Sequence, residues 1–501
     1  MTAIGTGSTV AVVGTGTMGQ GIAQVALVAG HRVRLYDSAP GRAGQAAEAI
    51  VRRLDRLVEK GRILAAERDA AGARLSPAED LAELADAALV VEAILEQLPA
   101  KQELFRALED VVRADCLLAT NTSSLSVTAV AGGLRNPGRC VGMHFFNPAP
   151  LLPLVEVVSG FATDEAAAAT AHATAAAWGK TPVHCADTPG FIVNRVARPF
   201  YAEALRAYEE RAADPATIDA VLREGSGFRM GPFELTDLIG QDVNEAVTHS
   251  VWTAFFQDPK FTPSLAQRRL VESGQHGRKT GRGWFDYAEG AGRPEPSTAG
   301  PGPVPSSVAV HGQLPGPAAA LRELIEEAGV EVTDGRAPGE PEGFLRLPGG
   351  ARLALTNGSP ATVRGEDAVI RFDLSLDYRA ATRVALAPSA RASAADLAEA
   401  AGLFQALGKR VSVIDDVPGM IVARTVAMVI DFAVDAAARG VATPEDIDTA
   451  MRLGVNYPGG PMEWADRLGA PWVCGVLDSL HGQNAGGRYV PSRALRRRAD
   501  L

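Results

Sequence analysis

A doubly wound α/β domain, an all-α domain, a reduced α/β module and a second all-α domain, in that order, are what this sequence of 501 residues predicts. Three observations carry the prediction. Short β-rich runs alternate with helical patterns up to about residue 186, the strand signals then fade, and two blocks of the first half return in degenerate form 229 residues later. Alternation of this kind argues for a largely parallel sheet. A constant displacement held over about sixty residues means duplication.

The strand-like runs are "VAVVG", "RVRLYD", "ALVVEAI", "CLLATN", "CVGMHFF" and "PLVEVV", and they define a first domain over residues 1–187. From 188 to 287, "GFIVNRVARPFYAEALRAYEE" and "DPATIDAVLREGSG" read as helices with polar starts and glycine ends. Residues 288–316, with "GRPEPSTAGPGPVPSS", are too rich in Pro, Gly and Ser to pack and read as a linker. Residues 317–415 carry one helical pattern, "AAALRELIEEAG", and strand-like "AVIRF", and they contain no GxGxxG. They read as a reduced module without its own cofactor, and residues 416–501 as the second helical domain.

The duplication is explicit in the blocks themselves. "WGKTPVHCADTPGFIVNR" from Trp178 returns as "LGKRVSVIDDVPGMIVAR" from Leu407, and "GPFELTDLIG" from Gly231 returns as "GPMEWADRLG" from Gly460. The same displacement sets His144 against Asp373, Glu156 against Ala385 and Asn194 against Ala423, while Gly190 and Gly419 persist. The second copy keeps its frame and loses its polar centre.

Composition excludes several function classes. A net charge of −10 disfavours nucleic acid, and the one basic cluster, "SRALRRRAD", has no interleaved aromatics and reads as a solvated or frayed tail. No apolar run reaches the roughly 18 residues of a membrane span, and strand-like "STVAVVG" arrives where a signal peptide would need a basic start. Cys116, Cys140, Cys185 and Cys474 show no CxxC spacing, so neither a disulfide framework nor a metal site is suggested and a reducing cytoplasm is expected.

Gly14, Gly16 and Gly19 follow the first strand and open the helix "QGIAQVALVAG". In that setting the first glycine permits the turn, the second lets the backbone approach a pyrophosphate and the third packs helix on strand. The next strand ends in Asp37, eighteen residues after Gly19, where a carboxylate accepts from ribose hydroxyls and repels a 2′-phosphate. NAD is therefore expected rather than NADP. A glycine turn in a non-binding α/β fold is the competing reading.

Strand C-terminal ends line the ligand crevice of such a sheet, so Ser123 in "TNTSSLSV" and His144 and Asn147 in "MHFFNP" are candidates to face the nicotinamide. Oxidising an alcohol needs a base for the hydroxyl proton, and histidine suits transfer in both directions. Glu156 in "LVEVV" is a carboxylate among apolar β-formers, expensive to bury without a partner. It either orients His144 as a His–Glu dyad or points to solvent. Asn194 is either a substrate amide or a polar residue at a helix start. Its loss together with His and Glu from the second copy favours a joint role.

Together, "VVGTGTMGQGIA", "VVEAILEQLPAKQELF", "ATNTSSLSV", "GMHFFNP", "LVEVV", "DTPGFIVNR" and "GRKTGRGWFDY" resemble the 3-hydroxyacyl-CoA dehydrogenase family over about residues 9–287. The tandem arrangement is similar to the long bacterial forms of 3-hydroxybutyryl-CoA or phenylacetate-pathway type. The resemblance implies a Rossmann-like NAD domain, a helical C-terminal domain, a reduced Rossmann-like module and a second helical domain. It implies oxidation of a (3S)-3-hydroxyacyl-CoA by NAD⁺, with His144 as base, Glu156 orienting it, and Ser123 and Asn194 holding the substrate oxygen. It also implies NAD contacts from the loop Gly14, Thr15, Gly16, Thr17, Met18 and Gly19, from Asp37, and from Glu96, Lys101, Ser123, Asn147 and Lys279. Because the helical domain pairs subunits in the family, the two copies are expected to dock within one chain as a pseudo-dimer, a homodimer remaining open. A free hydroxyacid dehydrogenase and a non-enzymatic NAD-binding scaffold are the alternatives; the first would want an arginine near the His144 motif, and none stands out.

Overall fold

The computed structural model describes residues 2–335, 343–363 and 367–500. Its first sheet contains β1 (Thr9–Val13), β2 (Arg32–Tyr36), β3 (Leu75–Ala78), β4 (Ala87–Glu92), β5 (Leu117–Thr120), β6 (Cys140–Phe145), β7 (Leu154–Ser159) and β8 (Thr181–Ala186), in the order β3-β2-β1-β4-β5-β6-β7-β8. Every neighbouring pair is parallel except β6 and β7. Alternate residues of β1 enter opposite cores: Val10 and Val12 pack with Ile22, Leu35 and Ile50, whereas Ala11 and Val13 pack with Phe105, Leu108 and Leu118. A strand covered by helices on both faces has no polar side, which is why the run reads as continuously apolar.

The second sheet contains β9 (Ser307–His311), β10 (Glu331–Gly335), β11 (Phe344–Arg346), β12 (Arg352–Leu355), β13 (Val369–Phe372), β14 (Arg383–Pro388) and β15 (Arg410–Val413), in the order β10-β9-β11-β12-β13-β14-β15. It keeps the last three strands of the first sheet in kind. β13 and β14 are antiparallel like β6 and β7, and β14 and β15 are parallel like β7 and β8. Upstream the plan departs, because β11 runs antiparallel to both β9 and β12.

The chain clusters into two units, Met1–Arg195 with Arg439–Val455, and Val196–Ala438 with Asn456–Leu501. In the first unit, helix Pro444–Val455 packs on β7 and β8, and Ala186 N donates to Val441 O at 2.7 Å. In the second, helix Pro215–Ser226 packs on β14, and Arg383 Nε donates to Glu224 Oε2 at 2.8 Å. These two helices are related by the 229-residue displacement, as are β7 and β14. Each copy thus lends the same helix to the other copy's sheet. The second unit is built around helix Val422–Ala438, packed against helix Arg198–Glu209. Arg424 Nη1 reaches Glu210 Oε2 at 2.6 Å, and Arg488 Nη2 reaches the buried Glu203 Oε1 at 2.6 Å.

Four expectations need correction. Residues 288–316 are not an unpacked linker: 307–311 form β9, Ala299 N donates to Val411 O at 2.8 Å, and Ser412 Oγ donates to Ser297 O at 2.7 Å. Their prolines forbid a regular ladder, not packing. The reduced module accordingly starts before residue 317, and residues 439–455 belong to the first unit rather than with the rest of 416–501. The basic tail is not frayed but forms helix Arg493–Ala499, capped by Ser492, with Leu495 buried and Arg496 paired to Asp478 at 2.6 Å. Among the described residues no helix is long and apolar enough to cross a membrane.

Candidate active site

Strand order reverses between β1 and β4, so a crevice opens at their C-terminal ends. Gly14 has φ +91°, and a Cβ there would stand 2.6 Å from the Ala93 carbonyl oxygen; at Gly19 it would stand 1.8 Å from the Gly14 oxygen. The fold itself requires these two glycines. Gly16 is different, because a Cβ there would meet nothing within 4 Å and the helix it opens, Thr17–Val28, has no side-chain cap. Open space above uncapped N–H groups fits a pyrophosphate. Around it Thr15 is buried, Met18 half-buried and Thr17 exposed.

Asp37 follows β2, and its Oδ2 accepts from Thr15 N at 2.9 Å and Thr15 Oγ1 at 2.7 Å. Burial works against ionisation, but these bonds, with one from Ala39 N, prevail and hold the carboxyl below its ordinary range. An ionised carboxylate beside the glycine loop suits the ribose hydroxyls of NAD, so the residues present fit that cofactor.

Beneath the crevice lies a network centred on Glu92, a residue given no role in the expectations above. Glu92, fully buried at the end of β4, accepts from Lys101 Nζ at 2.5 Å, Ile94 N at 2.7 Å and Thr120 Oγ1 at 2.7 Å. Lys101 is itself buried, with its ammonium also 3.3 Å from Glu96 Oε2. Glu96 Oε1 in turn accepts from Thr122 Oγ1 at 2.6 Å, Ser123 N at 2.9 Å and Ser124 N at 3.0 Å. Burial raises the Glu96 carboxyl, but Lys101 and these donors bring it below the ordinary range. The signal for Glu92 was present, since "LVVEAI" buries an acid among apolar β-formers just as "LVEVV" does.

His144 and Glu156 are register partners across the antiparallel β6 and β7. His144 Nδ1 lies 2.6 Å from Glu156 Oε2, His144 is 5% exposed and Glu156 fully buried. A carboxylate only accepts, so Nδ1 is the donor in this contact. Among the described residues nothing hydrogen-bonds Nε2, while Phe146 and Phe191 stand against the ring. The second Glu156 oxygen accepts from Ile192 N at 3.1 Å and Val193 N at 2.9 Å, which excludes the solvent-facing alternative. Asn194 lies on the short helix Val193–Val196, with Nδ2 3.5 Å from Ser123 O. Asn147 is exposed just past β6, and Asn121 Oδ1 ties Phe145 N to the "TNTSS" loop at 2.8 Å. Lys279 belongs to the second unit, where it pairs with Asp242 at 2.6 Å. The thiols take no part: burial pushes Cys116 and Cys140 up to about 12.

Comparison with known proteins gives this arrangement a family. Residues 9–188 match the 3-hydroxyacyl-CoA dehydrogenase NAD binding domain, and residues 190–287 and 419–501 each match the C-terminal domain. Residues 353–418 match the 3-hydroxybutyryl-CoA dehydrogenase reduced Rossmann-fold domain. A relative named 3-hydroxyadipyl-CoA dehydrogenase, from Escherichia coli, is 43% identical over 98% of both chains.

The chain belongs to the 3-hydroxyacyl-CoA dehydrogenase family.

It is an NAD-dependent oxidoreductase of the long form, a Rossmann-like domain and a reduced Rossmann-like module each followed by helices. A solved structure titled 3-hydroxybutyryl-CoA dehydrogenase, from Escherichia coli, superposes with a TM-score of 0.89 at 42% identity, covering 99% of this chain and 98% of that one. A 3-hydroxybutyryl-CoA dehydrogenase from Mycobacterium tuberculosis is 40% identical and covers 56% of this dehydrogenase and 98% of its own length, matching the first copy alone.

Proposed function

We propose that this dehydrogenase interconverts a (3S)-3-hydroxyacyl-CoA and its 3-oxoacyl-CoA, using a His144–Glu156 dyad, with 3-hydroxybutyryl-CoA or 3-hydroxyadipyl-CoA as its substrate. The observation that carries this reading is the 2.6 Å contact between two buried side chains, His144 Nδ1 and Glu156 Oε2. Glu156 fixes the tautomer, Nε2 takes the substrate hydroxyl proton, and the imidazolium formed is stabilised by the adjacent carboxylate. Ser123 and Asn194 hold the reacting oxygen. NAD, when bound, supplies the two-electron acceptor; the glycine loop, Asp37, Glu96, Lys101, Ser123 and Asn147 would hold it.

Two further parts belong to the same reading. The reciprocal exchange of helices Pro215–Ser226 and Pro444–Val455, with the Glu203, Arg424 and Arg488 cluster, supports an intramolecular pseudo-dimer that makes one chain sufficient. An active species sedimenting above 52.3 kDa would show further assembly. Four free, buried cysteines support a reducing, cytoplasmic compartment.

The test is NADH oxidation with acetoacetyl-CoA, 3-oxoadipyl-CoA and free acetoacetate in one panel. Turnover of a thioester and not of the free acid is expected. Equal turnover of free acetoacetate would overturn the thioester reading in favour of a free-acid dehydrogenase.

A further inference from the structure

Glu92 occupies a position that packing alone does not explain. It sits at the C-terminal end of β4, in register with Val13 just before the glycine loop on one side and with Thr120 just before "NTSS" on the other. Both carboxylate oxygens are used, Oε1 by Lys101 and Ile94 N and Oε2 by Thr120. A buried ion pair of this kind is seldom a net gain over apolar residues of the same volume, so holding one below the crevice calls for another reason.

The geometry supplies it. Lys101 Nζ is 2.5 Å from Glu92 and 3.3 Å from Glu96, so Glu92 is the closer anchor of the ammonium. Glu96 meets Lys101 through Oε2, which leaves Oε1 to collect Thr122, Ser123 and Ser124, including the two serine amides at 2.9 and 3.0 Å. Without Glu92, Lys101 would be a buried cation with Glu96 as its nearest carboxylate. It would draw that side chain down, and Oε1 would release the loop.

We infer that Glu92 is a positioning residue, which through Lys101 and Glu96 fixes the backbone and hydroxyl of Ser123 at the mouth of the crevice. This rests on the role proposed above for Ser123. Glu92 does not touch substrate or cofactor; it determines where Ser123 is held.

The test uses the full chain, as Glu92→Gln, Lys101→Met and the double variant. Hydrogen exchange without cofactor is read across residues 121–125, with NADH affinity by fluorescence and kcat in parallel. Each single variant is expected to accelerate exchange across 121–125 by roughly tenfold and to lower kcat by a similar factor, and the double variant to do no more than either single, as members of one chain of contacts should. The double variant removes both buried charges, so it stays informative if Glu92→Gln alone leaves Lys101 uncompensated and fails to fold. Unchanged exchange at 121–125, or additive losses in the double variant, would overturn the proposal. Accelerated exchange with undiminished kcat would instead overturn the reading of Ser123 on which it rests.

Discussion

Asp373 performs in the second copy one of the two tasks that Glu156 performs in the first. Glu156 Oε1 accepts from Ile192 N and Val193 N; Asp373 Oδ2 accepts from Ile421 N at 3.0 Å and Val422 N at 2.8 Å, the same two amides displaced by 229 residues. Yet Asp373 stands at the position of His144, with Ala385 at that of Glu156. The carboxylate has moved to the neighbouring strand, kept its hold on the helix start and lost its imidazole. Anchoring the helix is architecture common to both copies, and the imidazole contact is confined to the first.

The two carboxylates should therefore fail differently. Glu156→Gln keeps an oxygen for Ile192 and Val193 but no longer fixes the imidazole as a charged acceptor, so kcat should fall by about 10²–10³-fold with little change in melting temperature. Asp373→Asn should lower the melting temperature and leave NADH affinity intact, since an amide cannot accept on both sides. Steady-state kinetics and thermal melts on both variants check this.

Gly16 and Gly19 should separate binding from folding. A side chain at Gly16 enters open space, so Gly16→Val should melt like the parent and bind NADH at least about tenfold more weakly by blocking the pyrophosphate. Gly19→Ala meets the Gly14 carbonyl and should lower the melting temperature itself. Fluorescence titration and calorimetry distinguish the two.

Cofactor choice should rest on Asp37. Asp37→Ala removes an ionised acceptor, so KM for NADH should rise by roughly tenfold or more, as expected for lost hydrogen bonds to a charged group, while use of NADPH improves. The ratio of kcat/KM for the two cofactors is the measurement.

Burial raises two carboxyls, Asp219 to about 7 and Asp373 to about 6, from 3.8. With folded values above the unfolded one, the native state binds more protons between these limits, so this contribution to stability is present in acid and is lost as pH rises from 4 towards 7. Asp219→Asn should flatten the dependence of the melting temperature on pH across that window.

The sequence made the first half legible because its signals were local. Short β-rich runs pointed to β1, β2 and β4–β7, and the expense of burying Glu156 pointed to a partner before its register with His144 was known. Glu92 obeyed the same logic and was missed because an acid closing a strand looks like an edge residue. The exchanged helices were illegible for another reason: periodicity shows that Pro215–Ser226 has an apolar face, but not whose sheet it covers. β9 was hidden because "SVAVH" is short and follows a proline-rich stretch that packs without pairing as a strand. Duplication supplied the strongest clue to function, and it also reveals what is only structural. Lys180 donates to Ala149 and Leu152 carbonyls exactly one displacement before Lys409, which holds Arg379 and Ala381, so this lysine is a clasp on a loop in both copies.

In the proposed reaction His144 transfers the proton on a cofactor site it does not help to build. The most direct test is His144→Ala, assayed for acetoacetyl-CoA-dependent NADH oxidation and for NADH affinity on the same preparation. Unchanged affinity and a loss of turnover of about 10²-fold or more are expected. Turnover within about a factor of three of the parent, with the cofactor bound, would contradict it, because a general base is worth far more than that.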